Sequence, residues 1–353
     1  MSDKMPPKIL LIRFSAFGDI LAMMSVPVAL RHRFPNAEIH WVTRADYSAM
    51  AETAKSVDHV WAVDRKMGFR ELWQTTQKLR RESFTHVYDA HNNLRSHFLS
   101  WFLVGPFGLL AVLRGQKFLR RSQYRWRRFL LFRFRINKYP KPFVHQWALL
   151  EPLQAWHVSL NLPPVPVLQL PKAAHEKAQS VLGSFSPKAG FVALSPSASY
   201  ALKRWPVSHW QKLIVENPHL SFALLGGAED QFIQTIADVA PDRTLNLAGK
   251  LSYLESAAVV QHARVLVSND TGLMHVAEQS GTLCIALLGP APFGFPGRAT
   301  THILELNLSC RPCSKHGQGP CTNPVYQKCL QEISTSQVSQ LLHRLLQDSE
   351  GQK

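Results

Sequence analysis

The sequence is short of acidic residues and has no uninterrupted apolar run long enough to cross a membrane. Lys and Arg number 40 against 24 Asp and Glu, a formal net charge of +16. No repeat period or low-complexity tract is present, so a chain that is 46% hydrophobic is expected to be globular. The longest apolar run, 98–113, contains Gly105, Pro106 and Gly108 and is shorter than the roughly 20 residues of a spanning helix. We predict no transmembrane segment there, but a helix to about Leu103, a turn and a short strand.

The start of the chain lacks the pattern of a signal peptide. Residues 1–8 are polar and lead directly into the apolar strand Ile9–Phe14. A charged start, an apolar middle and a small-residue cleavage site do not fit before that strand. We therefore expect a cytoplasmic protein.

The first predicted strand-to-helix turn lacks the three spaced glycines of a dinucleotide fingerprint. Phe14–Ile20 contains Gly18 alone, which disfavours a nicotinamide-dependent dehydrogenase. Asp19 occupies this turn instead. Its carboxylate either caps the following helix or acts as a general base in a ligand cleft.

The order of predicted elements indicates two α/β domains. A chain of 353 residues is long enough for two domains of roughly 150 residues. Strands and helices alternate in both halves, which predicts two parallel sheets, and the proline-rich stretch Leu160–Lys172 between them resembles a linker. We place the domains at 1–165 and 166–353, with a ligand cleft between the carboxyl edges of their strands. The predicted strands are Ile9–Phe14, Glu38–Val42, one near Val60, His86–Tyr88, Phe191–Ser195, Phe222–Gly226, Thr244–Leu247, Val265–Ser268 and Leu283–Leu288.

The segment 268–277 passes from an apolar strand into a helix that begins with small residues. The unpaired amides and the dipole of a helix N-terminus attract anions, phosphate above all. Asp270 or Asn269 can cap this helix, Gly272 admits a ligand close to the backbone, and His275 lies one turn from Thr271. The alternative is a capped core helix without a ligand.

Other residues of the second half suit a nucleotide diphosphate. Ser197 and Ser199 follow the first strand of that domain, Lys203 precedes a helix, and Glu229 can accept hydrogen bonds from ribose hydroxyls. Each also has an ordinary explanation as a turn residue, a solvated lysine or an acidic residue near a helix start.

A basic segment interleaved with aromatic residues lies between Leu113 and Lys138. It holds ten Lys and Arg and no acidic residue. This mixture suits an anionic lipid surface, and a nucleic-acid groove or a solvated basic face are the alternatives. The candidates for acceptor or membrane contact are Arg120, Arg121, Arg125, Arg127 and Arg128.

Four cysteines lie close together near the end of the chain, at Cys310, Cys313, Cys321 and Cys329. In a reducing compartment such a group binds a metal more readily than it forms disulfides, but the spacing lacks the second short pair of a zinc ribbon. A structural metal site and four ordinary cysteines in a Pro/Gly-rich loop both remain open.

Several of these segments together resemble the motif set of glycosyltransferase family 9, the ADP-heptose:lipopolysaccharide heptosyltransferases. The matching segments, in the family's order and spacing, are 12–20, 203–206, 226–229 and 268–277, and the similarity extends from Lys8 to about Gly289. The segments 89–96 and Val144-His145 also resemble first-domain positions of that family.

The resemblance implies a GT-B fold, in which two Rossmann-like domains face a central cleft, the acceptor domain first and the nucleotide-sugar domain second. It implies an inverting transfer of heptose from ADP-heptose to the inner core of lipopolysaccharide, on Kdo-lipid A or a heptosylated acceptor, without a metal or cofactor. Asp19 matches the general base, and Lys203 with the amides of Thr271 and Gly272 would stabilise the leaving pyrophosphate.

The remaining donor-binding candidates are Glu229 for the ribose, Asp270, and His275 at or near the phosphate, with Ser197 and Ser199 in a looser match. The acceptor lies in the inner leaflet, so the basic and aromatic residues would hold the enzyme at the inner face of the inner membrane. We expect a monomer that does not bind nucleic acid. The alternatives are another sugar or acceptor, a nucleic-acid-binding protein, and a lipid-binding scaffold without activity.

Overall fold

The chain folds into two units in the computed structural model, which describes residues 6–66, 68–185, 190–291 and 293–350. Unit 1 comprises Met1–Tyr139 and Gln146–Gln169, and unit 2 comprises Pro140–His145 and Leu170–Lys353. The chain thus passes into unit 2 briefly at Pro140–His145 before it returns to unit 1.

Unit 1 contains a parallel sheet of five strands in the order β3-β2-β1-β4-β5. The central strand reads Ile-Leu-Leu-Ile from Ile9 to Ile12 and is fully buried, as expected for a strand covered on both faces. The strands are β1 (Lys8–Ile12), β2 (Glu38–Arg44), β3 (His59–Val63), β4 (His86–Asp89) and β5 (Lys117–Arg120).

The helices of unit 1 connect these strands. They are α1 (Phe17–Met23), α2 (Ser25–Arg33), α3 (Ala45–Glu52), α4 (Phe69–Arg81), α5 (Leu94–Val104), α6 (Leu109–Leu113), α7 (Arg125–Phe134) and α8 (His145–Leu150), the last beginning in unit 2. The first predicted helix is interrupted at Met24, between α1 and α2. Pro27 explains the break, because it has no N–H to donate to the Met23 carbonyl and its ring crowds that oxygen.

The apolar stretch Leu94–Leu113 folds as two helices rather than one. By length and composition alone its 20 residues could cross a membrane, at a mean hydropathy of 1.6, but the window is 47% buried. The chain turns at Gly105, whose φ is +76° and whose Cβ, if present, would lie 2.5 Å from Cγ of Leu110. The predicted helix and turn agree with this arrangement, whereas the predicted short strand is wrong: α6 follows the turn and β5 begins at Lys117.

Unit 2 contains a parallel sheet of six strands in the order β11-β10-β9-β6-β7-β8. The strands are β6 (Val192–Ser195), β7 (Phe222–Leu224), β8 (Thr244–Asn246), β9 (Val265–Asn269), β10 (Leu283–Leu288) and β11 (Thr301–Glu305). The helices are α9 (Lys172–Leu182), α10 (Val207–Glu216), α11 (Phe232–Ala237), α12 (Tyr253–His262), α13 (Gly272–Ser280), α14 (Lys328–Gln331) and α15 (Thr335–Glu350). The strands of both sheets are parallel, so in each unit their carboxyl ends meet at one edge.

The predicted last helix corresponds to α15, which packs on the core of unit 2. Val338 and Leu342 are fully buried in a cluster with Trp210 of α10 and with residues of the sheet. Strands β5 and β11 were not predicted from the sequence. Each lies at the edge of its sheet and is only partly buried, so it lacks the apolar run that marks a central strand.

Candidate active site

The predicted anion-binding helix of unit 2 begins without a side-chain cap. Thr271 holds the N-cap position of α13, and neither it nor another described side chain bonds the first-turn amides. The prediction that Asp270 or Asn269 caps this helix is wrong. The Asn269 amide instead joins two loops: its Oδ1 accepts from the Trp205 N–H at 3.0 Å and its Nδ2 donates to the Pro196 carbonyl at 2.7 Å. The amino end of α13 thereby keeps its amides for a ligand.

A lysine lies beside this helix start. Lys203 ends the short 3₁₀ segment Ala201–Lys203, and its Nζ is 2.7 Å from Oδ2 of Asp270. The two side chains are 16% and 12% exposed, so their interaction is screened by solvent less than that of a surface pair. Asp270 therefore fixes the ammonium group next to the uncapped amides.

The cysteine-containing loop packs on the segment that carries Lys203. Gly317 has a φ of +87°, and a Cβ on it would lie 2.6 Å from Cγ of Lys203. The Gln327 amide donates to the Ala201 carbonyl at 2.6 Å, and the Gln318 amide donates to the Tyr200 hydroxyl at 2.8 Å. Sequence reasoning missed this contact, because no local pattern links residues more than 100 positions apart.

The four cysteines of that loop form no disulfide within the described part of the chain, and three of them are partly exposed while Cys329 is buried. Burial raises the pKa of Cys329 to about 11 and also raises that of Cys313. The sulfur of Cys310 accepts from the Asn323 amide at 3.4 Å, and that of Cys321 from the Gln327 N–H at 3.3 Å. Within the described part of the chain the thiols do not form a group of three donors mutually within 4.8 Å. Metal binding here stays an open alternative.

One group of described side chains does meet that spacing, namely Glu38, His40 and His59 in unit 1. The Trp61 indole N–H can only donate, and it lies 3.0 Å from Nδ1 of His40. Nδ1 is therefore the acceptor, and Nε2 carries the hydrogen that is donated to Glu38 at 2.8 Å. Burial lowers the pKa of His40, which favours this neutral form. The group is a hydrogen-bonded network that offers no free His40 lone pair to a metal.

His275 is held in a buried arrangement within α13. Its Nδ1 lies 2.9 Å from Oε2 of Glu278, and the other carboxylate oxygen accepts from the Gly297 N–H at 2.7 Å. A Cβ on Gly294 would lie 3.4 Å from Oδ1 of Asp270 and 4.0 Å from Nε2 of His275, so the loop around Gly294 approaches the same helix start.

The resemblance placed Val144-His145 in the first domain, but the structure groups these residues with unit 2. The ring of His145 lies 6.4 Å from that of His275, and its N–H donates to the Phe295 carbonyl. His145 follows the basic segment of the first half closely, so nothing in the sequence indicated that it belongs to unit 2.

The turn after β7 is held by an aspartate that sequence reasoning missed. Asp230 is buried, accepts from the Gly227 N–H at 2.9 Å and pairs with Arg204 at 3.3 Å. The neighbouring Glu229 is exposed. Ser199 is exposed and Ser197 is partly buried in the loop after β6. The signal for Asp230 was its place three residues after Gly227, a spacing typical of side-chain-capped turns.

The Asp19 carboxylate forms a hydrogen bond at the start of α1 and also remains partly exposed. Asp19 is the third residue of α1, where its Oδ2 accepts from the N–H of Ala16 at 3.0 Å and forms an ion pair with Arg13. Ala16 has no side-chain acceptor, so one arm of a capping box is made and the other is missing. The Asp19 side chain stays 31% exposed, so the carboxylate is reachable from solvent.

Positive and neutral groups surround this carboxylate at the carboxyl edge of the sheet. Arg13 follows β1 and donates to the Ala90 carbonyl at 2.7 Å. Burial and then Arg13 lower the pKa of Arg121, and the same two causes lower the pKa of His91 to about 4. His91 is therefore neutral at pH 7. Three buried atoms, His91 Nδ1, Arg13 Nε and Arg121 Nε, have no hydrogen-bond partner among the described residues, as in a site that a polar ligand completes.

The arginines of the basic segment lie in two different environments. Nε of Arg120 is 2.8 Å from Oδ2 of the fully buried Asp89, and its NH2 group donates to the Ser100 hydroxyl at 2.5 Å. Arg125 and Arg127 are exposed on α7, and Arg128 is partly buried, donating to the Gln123 carbonyl at 2.9 Å. Arg120 and Arg121 therefore belong to the strand edge, whereas α7 presents its arginines to solvent.

Comparison with known proteins supports one family. The family model described as glycosyltransferase family 9 (heptosyltransferase) matches residues 72–326. Lipopolysaccharide heptosyltransferase 1 of Pseudomonas aeruginosa is 24% identical over 326 residues, which cover 87% of this chain and 86% of that protein.

Solved structures of the same family share the fold. A family 9 glycosyltransferase from Veillonella parvula superposes with a TM-score of 0.78 at 19% identity, covering 98% of this chain and 99% of the other. ADP-heptose lipopolysaccharide heptosyltransferase II of Escherichia coli gives 0.71 at 21% identity, covering 97% and 99%. The predicted two-domain α/β architecture of GT-B type is confirmed.

Proposed function

The chain belongs to glycosyltransferase family 9, and we propose that it transfers heptose from ADP-heptose to the inner core of lipopolysaccharide, on a Kdo-bearing lipid A acceptor. The observation that carries the donor assignment is the ion pair of Lys203 and Asp270 beside the uncapped start of α13. An ammonium group and a row of free amides complement a pyrophosphate.

In the donor site, the pyrophosphate lies against the amides of Thr271 and Gly272 and against the Lys203 ammonium. Asp270 keeps Lys203 in place, and the exposed carboxylate of Glu229 accepts hydrogen bonds from the ribose hydroxyls. His275, oriented by Glu278, contacts the phosphates with Nε2. Ser197 and Ser199 add hydroxyl groups from the loop after β6.

The reaction is a single displacement at the anomeric carbon. The acceptor hydroxyl gives its proton to Asp19, its oxygen bonds to the anomeric carbon, and the bond from that carbon to the phosphate oxygen breaks. ADP leaves with the bonding electrons, and the configuration of the carbon is inverted. Lys203 and the α13 amides stabilise the charge that develops on the pyrophosphate, so the step needs no metal ion.

Unit 1 supplies the acceptor chemistry. Asp19 is open to solvent and lies among Arg13, Arg121 and His91, whose unpartnered buried atoms suit the anionic groups of a phosphorylated, Kdo-bearing lipid. The exposed arginines of α7, Arg125 and Arg127, attract the anionic inner leaflet in which the acceptor resides. We place the enzyme at the cytoplasmic face of the inner membrane.

The test is transfer of heptose from ADP-heptose to Kdo-lipid A by the purified chain, with and without a chelator. We expect product in both cases. Asp19→Ala should lower kcat by at least about 10²-fold with ADP-heptose affinity retained, because a positioned base contributes about 10²–10⁴-fold.

Asp19→Asn is the matched control for folding. The amide oxygen can still accept from the Ala16 N–H, so the start of α1 keeps its hydrogen bond while the base is removed. Full activity of Asp19→Asn would exclude Asp19 as the base. A product that disappears on chelation would contradict metal-independent departure of the pyrophosphate.

A further inference from the structure

The outer face of α4 and α5 in unit 1 carries large apolar side chains that are exposed. Leu94 is 90% exposed, Phe69 79%, Trp101 52% and Trp73 40%. The inner faces of the same helices bury Leu72, Leu79, Leu99 and Leu103 in the core of unit 1. α5 therefore has apolar residues on both sides, and the otherwise polar outer face of α4 carries Phe69 and Trp73, whereas a surface helix normally turns a polar face to water.

The partly buried rings of Phe98 and Phe102 connect the exposed aromatic residues into one surface. Phe69 of α4 contacts Phe98 of α5 with ring centroids 5.8 Å apart, Phe98 contacts Phe102 at 4.9 Å, and Phe102 contacts Trp73 at 4.7 Å. Leu94 and Trp101 lie one turn from Phe98 along α5. We call this surface the α4–α5 face, composed of Phe69, Trp73, Leu94, Phe98, Trp101 and Phe102.

Charge identifies the kind of partner. From Ala90 to Leu150 the sequence has 12 Lys and Arg and no Asp or Glu. At the α4–α5 face, the exposed Arg70 follows Phe69 and the exposed Arg95 follows Leu94, and α4 has four Lys and Arg against one acidic residue, Glu71. Apolar side chains bordered by cations match an anionic lipid bilayer, where the rings enter the interface and the cations meet the headgroups. A second copy of this chain would bring two strongly cationic surfaces together, which repel each other.

The α4–α5 face begins at the same edge of the unit 1 sheet as Asp19. Phe69 begins α4, Leu94 begins α5, and Asp19 lies in the first turn of α1. Each of these helices follows a strand of one parallel sheet, so all three begin at the carboxyl edge of that sheet. A bilayer against the start of α4 and α5 thus lies at the edge of unit 1 that carries Asp19.

We propose that the α4–α5 face inserts into the interfacial region of an anionic bilayer and presents the carboxyl edge of the unit 1 sheet to lipid headgroups. The face differs from the arginines of α7: it supplies apolar insertion, which salt does not screen, in addition to electrostatic attraction. The proposal deepens the proposed function in that a lipid acceptor would reach Asp19 from the membrane.

The test is co-sedimentation of the full chain with vesicles of phosphatidylglycerol and phosphatidylethanolamine that contain no acceptor lipid, at 0.1 M and 0.5 M NaCl. We expect wild-type binding to weaken at high salt but to persist. The variant Phe69→Gln/Leu94→Gln/Trp101→Gln should bind at least about tenfold more weakly at 0.5 M NaCl, because the inserted apolar area is lost.

The matched control is Val215→Gln/Tyr253→Gln in unit 2, which changes side chains 56% and 54% exposed outside the face. It should bind vesicles like wild type. Brominated lipids should quench part of the tryptophan fluorescence, and Trp101→Phe should reduce that quenching. Equal binding of the face variant and wild type at 0.5 M NaCl overturns the proposal. So does a wild-type dimer that the face variant converts to a monomer, since the face would then bind a second copy.

Transfer to a water-soluble acceptor saccharide without acyl chains separates this proposal from the proposed function. The face variant should keep wild-type kcat on that acceptor, since its substituted residues lie outside the site. Absence of transfer by both proteins to this acceptor and to Kdo-lipid A refutes the transferase assignment, while the vesicle result stands by itself.

Discussion

At the scale of single residues, Gly317 packs directly against the Lys203 side chain. The glycine has a φ of +87° and no room for a Cβ, which would lie 2.6 Å from the Lys203 side chain. Gly319 in the same loop has the same φ, but nothing lies within 4 Å of its Cβ position. The two glycines thus share the conformational demand and differ in the contact with Lys203.

We predict that Gly317→Ala weakens ADP-heptose binding by about tenfold or more, because the methyl group displaces the ammonium from the start of α13. Gly319→Ala should lose a similar amount of stability from the strained φ, of order 1 kcal/mol, but keep donor affinity. Calorimetric titration of both variants with ADP-heptose checks this. Equal affinities for the two variants would show that the loop does not position Lys203.

The buried His86 makes the stability of unit 1 depend on pH. Burial is the main cause that lowers its pKa from 6.5 to about 4, and the ring packs against Phe34 and Trp156. The unfolded chain takes up the proton near pH 6.5 and the folded chain resists it. The stabilisation is therefore present above pH 6.5 and is lost as the pH falls toward 4.

We expect His86 alone to lower the free energy of unfolding by about 2 kcal/mol between pH 7 and pH 5. His86→Gln should show a correspondingly smaller pH dependence, whereas the same change at the exposed His219 should leave it as in wild type. Urea unfolding at the two pH values measures the difference. If the free energy of unfolding of His86→Gln depended on pH as steeply as that of wild type, His86 would not be the group responsible.

At the scale of elements, the basic segment divides into strand β5 and helix α7. Arg120 at the end of β5 pairs with Asp89, whose carboxylate is fully buried and also accepts from Ser96 and from two backbone N–H groups. Arg125 and Arg127 on α7 are exposed. The same residue type therefore stabilises the fold at one position and meets solvent at the other.

Arg120→Gln should destabilise unit 1 by about 3 kcal/mol, because it leaves a buried carboxylate without its counterion. Arg125→Gln/Arg127→Gln should leave the melting temperature within about 2 °C but reduce binding to anionic vesicles at 0.1 M NaCl. Thermal melts and vesicle sedimentation measure the two effects separately. Equal stability of all these variants would contradict a structural role for Arg120 that Arg125 and Arg127 do not share.

The elements themselves were largely predictable where their patterns were strong. The sequence predicted α10 at Val207–Glu216 and β10 at Leu283–Leu288, and the structure has both with those bounds. It failed at the cap of α13, because Asn269 and Asp270 are good capping residues that tertiary partners, Trp205 and Lys203, use instead. Local sequence preference determines whether a segment forms a helix or a strand. Which partner a polar side chain binds depends on the distant segments that pack next to it.

At the scale of the whole molecule, the two units have separate hydrophobic cores and separate groups of candidate residues. All the predicted donor-binding residues lie in unit 2, and Asp19 lies in unit 1. If the donor site is as proposed, ADP should affect the two units unequally.

We predict that ADP slows amide hydrogen exchange at Ala201–Lys203 and at the first turn of α13, while α1 in unit 1 exchanges as before. Adenosine, which lacks phosphates, should protect the α13 start much less, since the amides there meet the pyrophosphate. Exchange mass spectrometry with both ligands tests this. Protection confined to unit 1, or equal protection by ADP and adenosine, would contradict the donor site.

The sequence by itself determined the parallel α/β class, the position of most buried strands, the turn that holds Asp19 and the helix start at Gly272. These follow from apolar runs, chain punctuation and short motifs, which are local. Tertiary structure alone decided that Asp270 holds Lys203, that Gly317 packs on Lys203, and that Arg120 faces Asp89 rather than solvent. The reason is physical: burial and ion pairing depend on which distant segments meet at the carboxyl edges of the sheets, and no local pattern encodes that meeting.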